Sequence, residues 1–600
     1  MKKLSDYVIE FVAGAGVKHI FMLAGGGSMH LVDSVGRHRE LEYVCCLHEQ
    51  ACAFAAEHYA EFTNGLGVAL VTTGPGGTNA VTGLAAAWLE SASCLFLSGQ
   101  AKRGDLIGAT GVRSMGQQEV DIVAVVKPLT KYAVTVLDPA TIRYHLEKAV
   151  YLATHGRRGP VWIDIPLDVQ AATIDETGLR GFVPPPVARA ASLERQVSEA
   201  IDLIDDSQRP VLFLGNGSRA ALAGGELGQL VDLLKIPVLV TWKMADFLPE
   251  ANPYYAGRPG AIGQRGANFT EQNADCLIIV GARLDRPQTA FSHRNFARAA
   301  TKIMVDVDAA ELAKIQPEVH VPVCADAGVF TREFLRQANR LKPKDRSCWV
   351  KRAKEWSERY PVVLPEYWAD AGAVNTYVLM DVLSDELAAT DVIVPGSSGP
   401  CSDIFMQAFR VKAGQRIVNA PGLGAMGTGL PGAIGACLAS GRRRTVNING
   451  DGGFQLNVQE LETVRRLNLP IKFFVLANGG YASIMATQRN YFGGRFVGSE
   501  ASSHLTLPDI ERVAAAYGLP TAHIHDHGEL RQGVREVLAL DGPVVCAVDT
   551  PADQPTAPRV TSSIRPDGTI VSKPMEDMWP FLGRDEFLSN MIVPPLEEEA

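Results

Sequence analysis

Short apolar runs, each closed by a turn, alternate with helical segments over most of the chain. Tyr43-Val44-Cys45-Cys46 precedes a helix that begins near Glu49. Gly67 to Thr72 runs into Gly74-Pro75-Gly76-Gly77, Ser93 to Leu97 ends at Ser98-Gly99, and Val161 to Pro166 closes the first block. Strands that are apolar at successive positions are buried on both faces, as in a parallel sheet covered by helices. Pro184-Pro185-Pro186 then reads as a stiff linker. A second block opens at Pro210 to Gly215 and fades after about residue 340. A charged stretch from Lys342 to Glu358 leads to a third, with apolar runs at Asp391–Pro395, Thr445–Gly450, Ile471–Leu476 and Pro543–Val548. The pattern predicts an α/β chain of three doubly wound parallel-sheet domains, over residues 1–183, 190–345 and 370–551. A proline-rich, irregular tail is expected over 552–600. No short-period repeat is visible.

Length and composition narrow the classes. The chain has 600 residues, 46% hydrophobic and 20% charged, with 57 basic and 66 acidic residues, a formal charge of −9. These values exclude a disordered chain and argue against an electrostatic nucleic-acid binder. The most apolar stretches are broken well short of the roughly 18 residues that a membrane span needs. Asp6 and Glu10 interrupt any signal-peptide core, so a cytoplasmic protein is expected. Ten cysteines without a C-x-x-C read as reduced thiols, mostly in apolar runs. The 57 glycines are the informative excess. They gather at the ends of apolar runs, where a parallel sheet turns into helices and meets ligands.

One motif points to chemistry. Gly450-Asp451-Gly452-Gly453 follows an apolar run, and Asn478 follows the next one. A lone G-D-G is a common turn. One helix plus one strand between the two puts Asp451 and Asn478 at the carboxyl ends of neighbouring strands, facing one crevice. A carboxylate and an amide oxygen suit Mg²⁺, which also takes diphosphate oxygens. The glycines let backbone N–H groups approach phosphates at a helix N-terminus.

With those residues the chain resembles the thiamine-diphosphate (ThDP) enzymes, in the acetolactate synthase large-subunit branch. The resemblance extends through Leu47 to Glu57, Thr73 to Asn79, Gly159 to Gln170, Gly422 to Ala436 and Ser572 to Met578. It implies that residues 1–183 bind the cofactor's pyrimidine and 370–551 its diphosphate. Glu49 resembles the glutamate that hydrogen-bonds the pyrimidine and favours loss of the thiazolium C2 proton. Read alone, Glu49 is a helix N-terminal carboxylate. Met426 matches the apolar residue that props the folded cofactor; read alone, it is core packing. Asp451, Asn478 and the Gly480 carbonyl are implied as metal ligands. Gly396, Ser397, Ser398, Gly424, Gly452, Gly453, Tyr481 and Ile484 are implied around the cofactor, with Pro75 and Asn79 on its pyrimidine side. Gln118 aligns with a substrate-side glutamine, and His30 is either a substrate-side or a structural histidine. Because Glu49 and Asp451 lie in different domains, the resemblance implies a homodimer or homotetramer with sites between chains.

The implied reaction takes a small 2-keto acid such as pyruvate and adds its acyl unit to a second carbonyl. The chain departs from branched-chain synthases on the acceptor side. Gly479-Gly480-Tyr481-Ala482-Ser483-Ile484 lacks their acceptor-pocket tryptophan, Gln117 replaces a phenylalanine, and Gln-His-Gln is missing near Ser397. Gln117, Gln488 or Arg489 would suit a hydroxylated or anionic acceptor such as a keto sugar. A C–C lyase or diketone hydrolase is a further alternative. In the central domain, Arg283 and Asp306 lie where synthases bind FAD; many relatives hold only ADP there, or nothing. The tail is read either as a lid over the active site or as a surface-packed segment. A flavin oxidoreductase is the rival class, but a clean G-x-G-x-x-G with a partner acid is missing.

Overall fold

The computed structural model describes residues 1–600 except 187–191, 222–223, 318, 397, 565–567, 569 and 597–600. Three six-stranded sheets, each parallel throughout, carry the architecture, with helices on their faces. The α/β class with three parallel sheets therefore stands. The first sheet uses His19–Met22, Glu42–Cys45, Gly67–Val71, Cys94–Gln100, Tyr132–Thr135 and Val161–Pro166. Numbered along the chain, their spatial order is 2-1-3-4-6-5. The last sheet uses Val392–Pro395, Arg416–Ile417, Thr445–Gly450, Ile471–Ala477, Thr521–Ile524 and Val544–Asp549, again in the order 2-1-3-4-6-5. The central sheet, from Pro210–Leu214 to Val321–Cys324, has the order 3-2-1-4-5-6.

The inner strands are apolar at every position because helices cover both faces. Val68 to Val71, Leu212 to Leu214 and Phe473 to Val475 are fully buried. Corresponding helices of the first and last sheets pack on each other. Helix Glu49–Thr63 follows the second strand of one, and Gly429–Ala439 follows the second strand of the other. Small residues set their approach: a Cβ on Gly435 would lie 2.1 Å from the Ala55 carbonyl oxygen, and one on Gly432 2.5 Å from His58 Nε2. Their apolar contacts run into a single core cluster spanning both sheets. Lys243 of the central body joins all three parts. Its buried Nζ lies 3.0 Å from Glu61 and 3.2 Å from Glu90, and donates to the Asn419 carbonyl at 2.6 Å. Burial opposes that charge, but the attraction of Glu61 and Glu90 outweighs it and raises the lysine pKa.

Two segments differ from expectation. The charged stretch after 342 is not a bare connection: Ser347–Arg359 is a helix whose Trp349 and Trp356 are buried in the central core. The tail is not wholly irregular either. It contains the hairpin Ser562–Ile564 with Ile570–Ser572 and the helix Arg584–Asn590. Buried Met575, Met578 and Phe587 anchor it, and Asn268 donates to the Met575 carbonyl at 2.9 Å. Proline content hid the helix because its stability comes from docking, with Phe587 against Phe269 of helix Arg265–Gln272. Among the described residues, no helix is long and apolar enough to cross a membrane.

Candidate active site

Parallel strands leave their carboxyl ends free for ligands, and the predicted residues gather at two such ends. In the last sheet, Thr445–Gly450 and Ile471–Ala477 are neighbours, with Gly450 opposite Leu476. Asp451, the next residue, is buried and spans both strand ends. One carboxylate oxygen accepts the Gly452 N–H at 2.7 Å. The other accepts the N–H groups of Asn478 at 3.0 Å and Gly479 at 2.7 Å. Burial raises the Asp451 pKa against the pull of these donors. The Asn478 amide oxygen accepts the Gly480 N–H at 3.3 Å. Gly480 sits tight against the next loop, where Tyr481 N–H donates to the Ser499 carbonyl at 2.9 Å. A Cβ on Gly480 would lie 2.3 Å from that same oxygen.

Met426, Gly452 and Tyr481 converge. A Cβ on Gly452 would stand 2.4 Å from the Tyr481 ring and 3.4 Å from Met426 Cε. Gly424 and Gly427 shape the Met426 turn with φ of +64° and +88°. Gly396, Gly429 and Gly453 surround Asn449: their Cβ positions would fall 3.0, 2.8 and 2.8 Å from its side-chain amide atoms. Asn449 Nδ2 is buried without a hydrogen-bond partner, as is Thr428 Oγ1. Ser398 is exposed at the neighbouring turn, and Gly399 there has its Cβ position 2.7 Å from Ser483 Oγ. Ile484 lies exposed on helix Ala482–Phe492. Ser397 lies outside the described residues. This set fits a hard divalent cation with a diphosphate: oxygen donors at two strand ends, glycine turns open to close approach, and an unpaired buried donor among them.

In the first sheet, Glu49 opens its helix, capped by His48, whose Nδ1 accepts the Gln50 N–H at 3.0 Å. Glu49 is buried, and one of its oxygens accepts from Asn79 Nδ2 at 3.0 Å. Pro75 starts the helix that carries Asn79, after Gly74 at φ +63°. A Cβ on Gly76 would reach within 3.6 Å of the other Glu49 oxygen. Gln118, exposed and at φ +64°, lies over this turn, where its carbonyl accepts from Thr73 Oγ1 at 3.2 Å. Its neighbour Glu119 is buried and holds the loop through the N–H groups of Ile107 and Met115, at 3.0 and 3.3 Å.

The two strand ends are joined within one chain. Asn457 Nδ2 donates to the Gln50 side chain at 2.8 Å and to the Gly427 carbonyl at 2.9 Å. The residue after Glu49 is thus linked to the residue after Met426. Leu47 N–H donates to Glu460 at 2.8 Å beside them. Asn457 and Glu460 were not singled out in the sequence, where a polar pair in a helical stretch carries no signal.

Other predicted residues fall elsewhere. His30 is half-buried in helix Met29–Arg37, where burial and then Lys3 lower its pKa. Gln488 is not free for an acceptor: it donates to the Val497 carbonyl at 2.9 Å and accepts from Ser499 at 2.7 Å. Arg489 remains exposed and lines a cavity of about 360 Å³ with Pro400, Ser483, Arg559 and Trp579. Arg283 and Asp306 line a second cavity of about 790 Å³ at the strand ends of the central sheet. Arg283 donates to the Leu89 carbonyl at 3.2 Å, and burial raises the Asp306 pKa.

Fold and crevice place the protein among α/β enzymes whose chemistry sits at the carboxyl ends of parallel strands. The chain belongs to the thiamine pyrophosphate enzyme family. Residues 2–125 match the N-terminal TPP binding domain, 197–337 the central domain and 397–548 the C-terminal TPP binding domain. Similarity covers nearly all of the chain. It is 31% identical to acetolactate synthase 3 of Brassica napus, over 94% of this chain and 85% of that protein. It is 30% identical to the acetolactate synthase large subunit of Porphyra purpurea, over 90% of each. The probable acetolactate synthase large subunit of Methanocaldococcus jannaschii is 30% identical, over 94% of this chain and 95% of that one.

Proposed function

We propose that this enzyme is a Mg²⁺- and ThDP-dependent carboligase that decarboxylates a 2-keto acid such as pyruvate and joins its acyl unit to a second carbonyl. The single observation that carries the reading is that Asp451 and Asn478 meet at neighbouring strand ends of the last sheet, in a chain whose first sheet presents a buried Glu49 held by Asn79. Bound there, ThDP supplies a nucleophilic carbon. Asp451, the Asn478 amide oxygen and the Gly480 carbonyl would hold the metal, and the Gly396, Ser398 and Gly453 turns would receive the diphosphate. Met426 and Tyr481 would pack against the cofactor. Glu49, held by Asn79, would hold a proton shared with the cofactor's pyrimidine nitrogen. Gln118 orients the substrate. Arg283 and Asp306 line a cavity large enough for an adenine dinucleotide such as FAD.

Cross-chain sites in a homodimer or tetramer follow from the family likeness, and complementation tests them. Inactive Glu49→Gln and Asp451→Ala chains, mixed under subunit exchange, are expected to regain roughly a quarter of the activity by random pairing. No recovery after proven exchange refutes sharing.

The cavity bounded by Arg489 and Arg559 favours a second reading for the acceptor: one larger and more anionic than a 2-keto acid, such as a keto sugar carrying phosphate. NMR of purified protein with Mg²⁺, ThDP and pyruvate tests both. Acetolactate formed rapidly from pyruvate alone supports the simple synthase. Pyruvate loss that becomes fast only with an added sugar acceptor supports the second reading. No pyruvate consumption by cofactor-loaded enzyme, matching the Glu49→Gln control, refutes the pyruvate donor.

A further inference from the structure

Three side chains outside the crevice converge at the edge of the last sheet. Strand Thr521–Ile524 is the edge strand, paired with Val544–Asp549. It carries His523, with His525 just beyond its end, and Asp549 closes the neighbouring strand. His523 Nε2 lies 2.9 Å from one Asp549 oxygen, and His525 Nδ1 lies 2.9 Å from the other. The two imidazoles stack with centroids 3.9 Å apart and planes 23° from parallel. Among the described residues, these three offer ligand-type atoms that all lie within 4.8 Å of one another.

A further contact orients the cluster. The other nitrogen of His523, Nδ1, lies 2.7 Å from Glu511 on helix Ile510–Ala516. A carboxylate there would hold a proton on Nδ1 and so leave Nε2, which faces Asp549, free to bind a cation shared with it. Metal-bound histidines are fixed in this way, with the second ring N–H given to a carboxylate. The competing, metal-free arrangement is a single imidazolium at His523 donating to Glu511 and Asp549, the two carboxylates that raise its pKa against burial. A divalent cation bound by the two rings and Asp549 would take the place of that proton on Nε2 and add His525 as a third ligand. His527 is not part of the group, since its Nε2 accepts the Asn375 N–H at 2.9 Å.

We propose that His523, His525 and Asp549, oriented by Glu511, form a second metal site, for a divalent transition-metal ion. Two imidazole nitrogens and one carboxylate oxygen suit Zn²⁺ rather than Mg²⁺, with water completing the coordination. Asp549 and His525 are partly open to solvent, so the ion has an entry path. Asp549 also stands in register with Ala477, the residue before Asn478. A bound ion would therefore brace the strand ends that position the crevice.

Calorimetric titration of Zn²⁺ into full-length enzyme loaded with Mg²⁺ and ThDP tests the site. A Cys324→Ser, Cys348→Ser background removes the two exposed thiols. One Zn²⁺ per chain is expected, retained in millimolar Mg²⁺ and raising the melting temperature. His525→Ala, at an exposed position, should weaken Zn²⁺ binding by about 100-fold without altering ThDP affinity. Glu511→Gln should weaken it by roughly 10-fold to 100-fold at unchanged stoichiometry. Circular dichroism checks that each variant is folded. Absence of saturable Zn²⁺ uptake, or uptake of equal affinity in His525→Ala, overturns the proposal.

Discussion

The first and last sheets have the same strand order, and the same helix of each meets the other, yet their ends are built differently. In the last sheet, the turn after the third strand is Gly450-Asp451-Gly452, and Asp451 is fixed by three backbone N–H groups. In the first sheet, the corresponding turn is Thr72-Thr73-Gly74, and the carboxylate comes instead from the helix after the second strand, at Glu49. Glu49 is met by a side-chain amide, Asn79. A carboxylate locked by main-chain donors cannot turn away and suits a permanent cation site. One held by a single amide keeps an oxygen free to share a proton. On the proposed function, one architecture thus supplies a cation-binding end and a proton-handling end.

The largest effects should come from exchanging those roles. Asp451→Ala is expected to abolish activity and ThDP binding together, because the cation loses its charged ligand. Glu49→Gln should leave ThDP binding intact and lower kcat by about 10²-fold to 10⁴-fold. Paired calorimetry and turnover assays separate the two, and equal loss of cofactor affinity in both variants would break the distinction.

The contact between the matched helices comes next. A Cβ on Gly435 would be 2.1 Å from Ala55 O, so Gly435→Val must push the helices apart. A destabilisation of about 1–3 kcal/mol is expected from thermal or denaturant unfolding. An unchanged melting temperature would mean that the two sheets do not depend on this seam.

The last effect is a pH dependence to which Asp164 of the first sheet contributes. Asp164 is fully buried on strand Val161–Pro166, bonded to Ser98, Gln100 and Thr135. Burial outweighs those bonds and raises its pKa from 3.8 to about 7. The folded state therefore holds this proton more tightly than the unfolded chain. Its contribution to stability is complete below the unfolded value and is lost as pH rises through about 7. Unfolding midpoints measured from about pH 5 to 8 should fall for the native protein and fall less for Asp164→Asn. Parallel slopes would place the titration elsewhere.

Much of this was legible in the chain. The inner strands announced themselves as unbroken apolar runs, because a strand covered on both faces has no polar side to show. Short strands such as His19–Met22, and the two-residue edge strand Arg416–Ile417, gave no such signal. Asp451 and Asn478 could be paired from one helix plus one strand of separation. Glu49 needed the family likeness, since its partner Asn79 lies a strand and a turn away. Gln488 shows the limit of reading a polar side chain as a ligand group, for it is spent on Val497 and Ser499.

By itself the sequence determined the α/β class, three sheet-forming blocks and the strand ends where chemistry gathers, because hydrophobic period and glycine turns are local properties. Only the tertiary structure decided that the outer sheets share one strand order, that Gln50, Asn457 and Gly427 tie their ends together, and that His523, His525 and Asp549 meet. Those facts depend on which strands become neighbours and how closely small residues let two helices approach. Long-range packing sets both, and no local pattern records it.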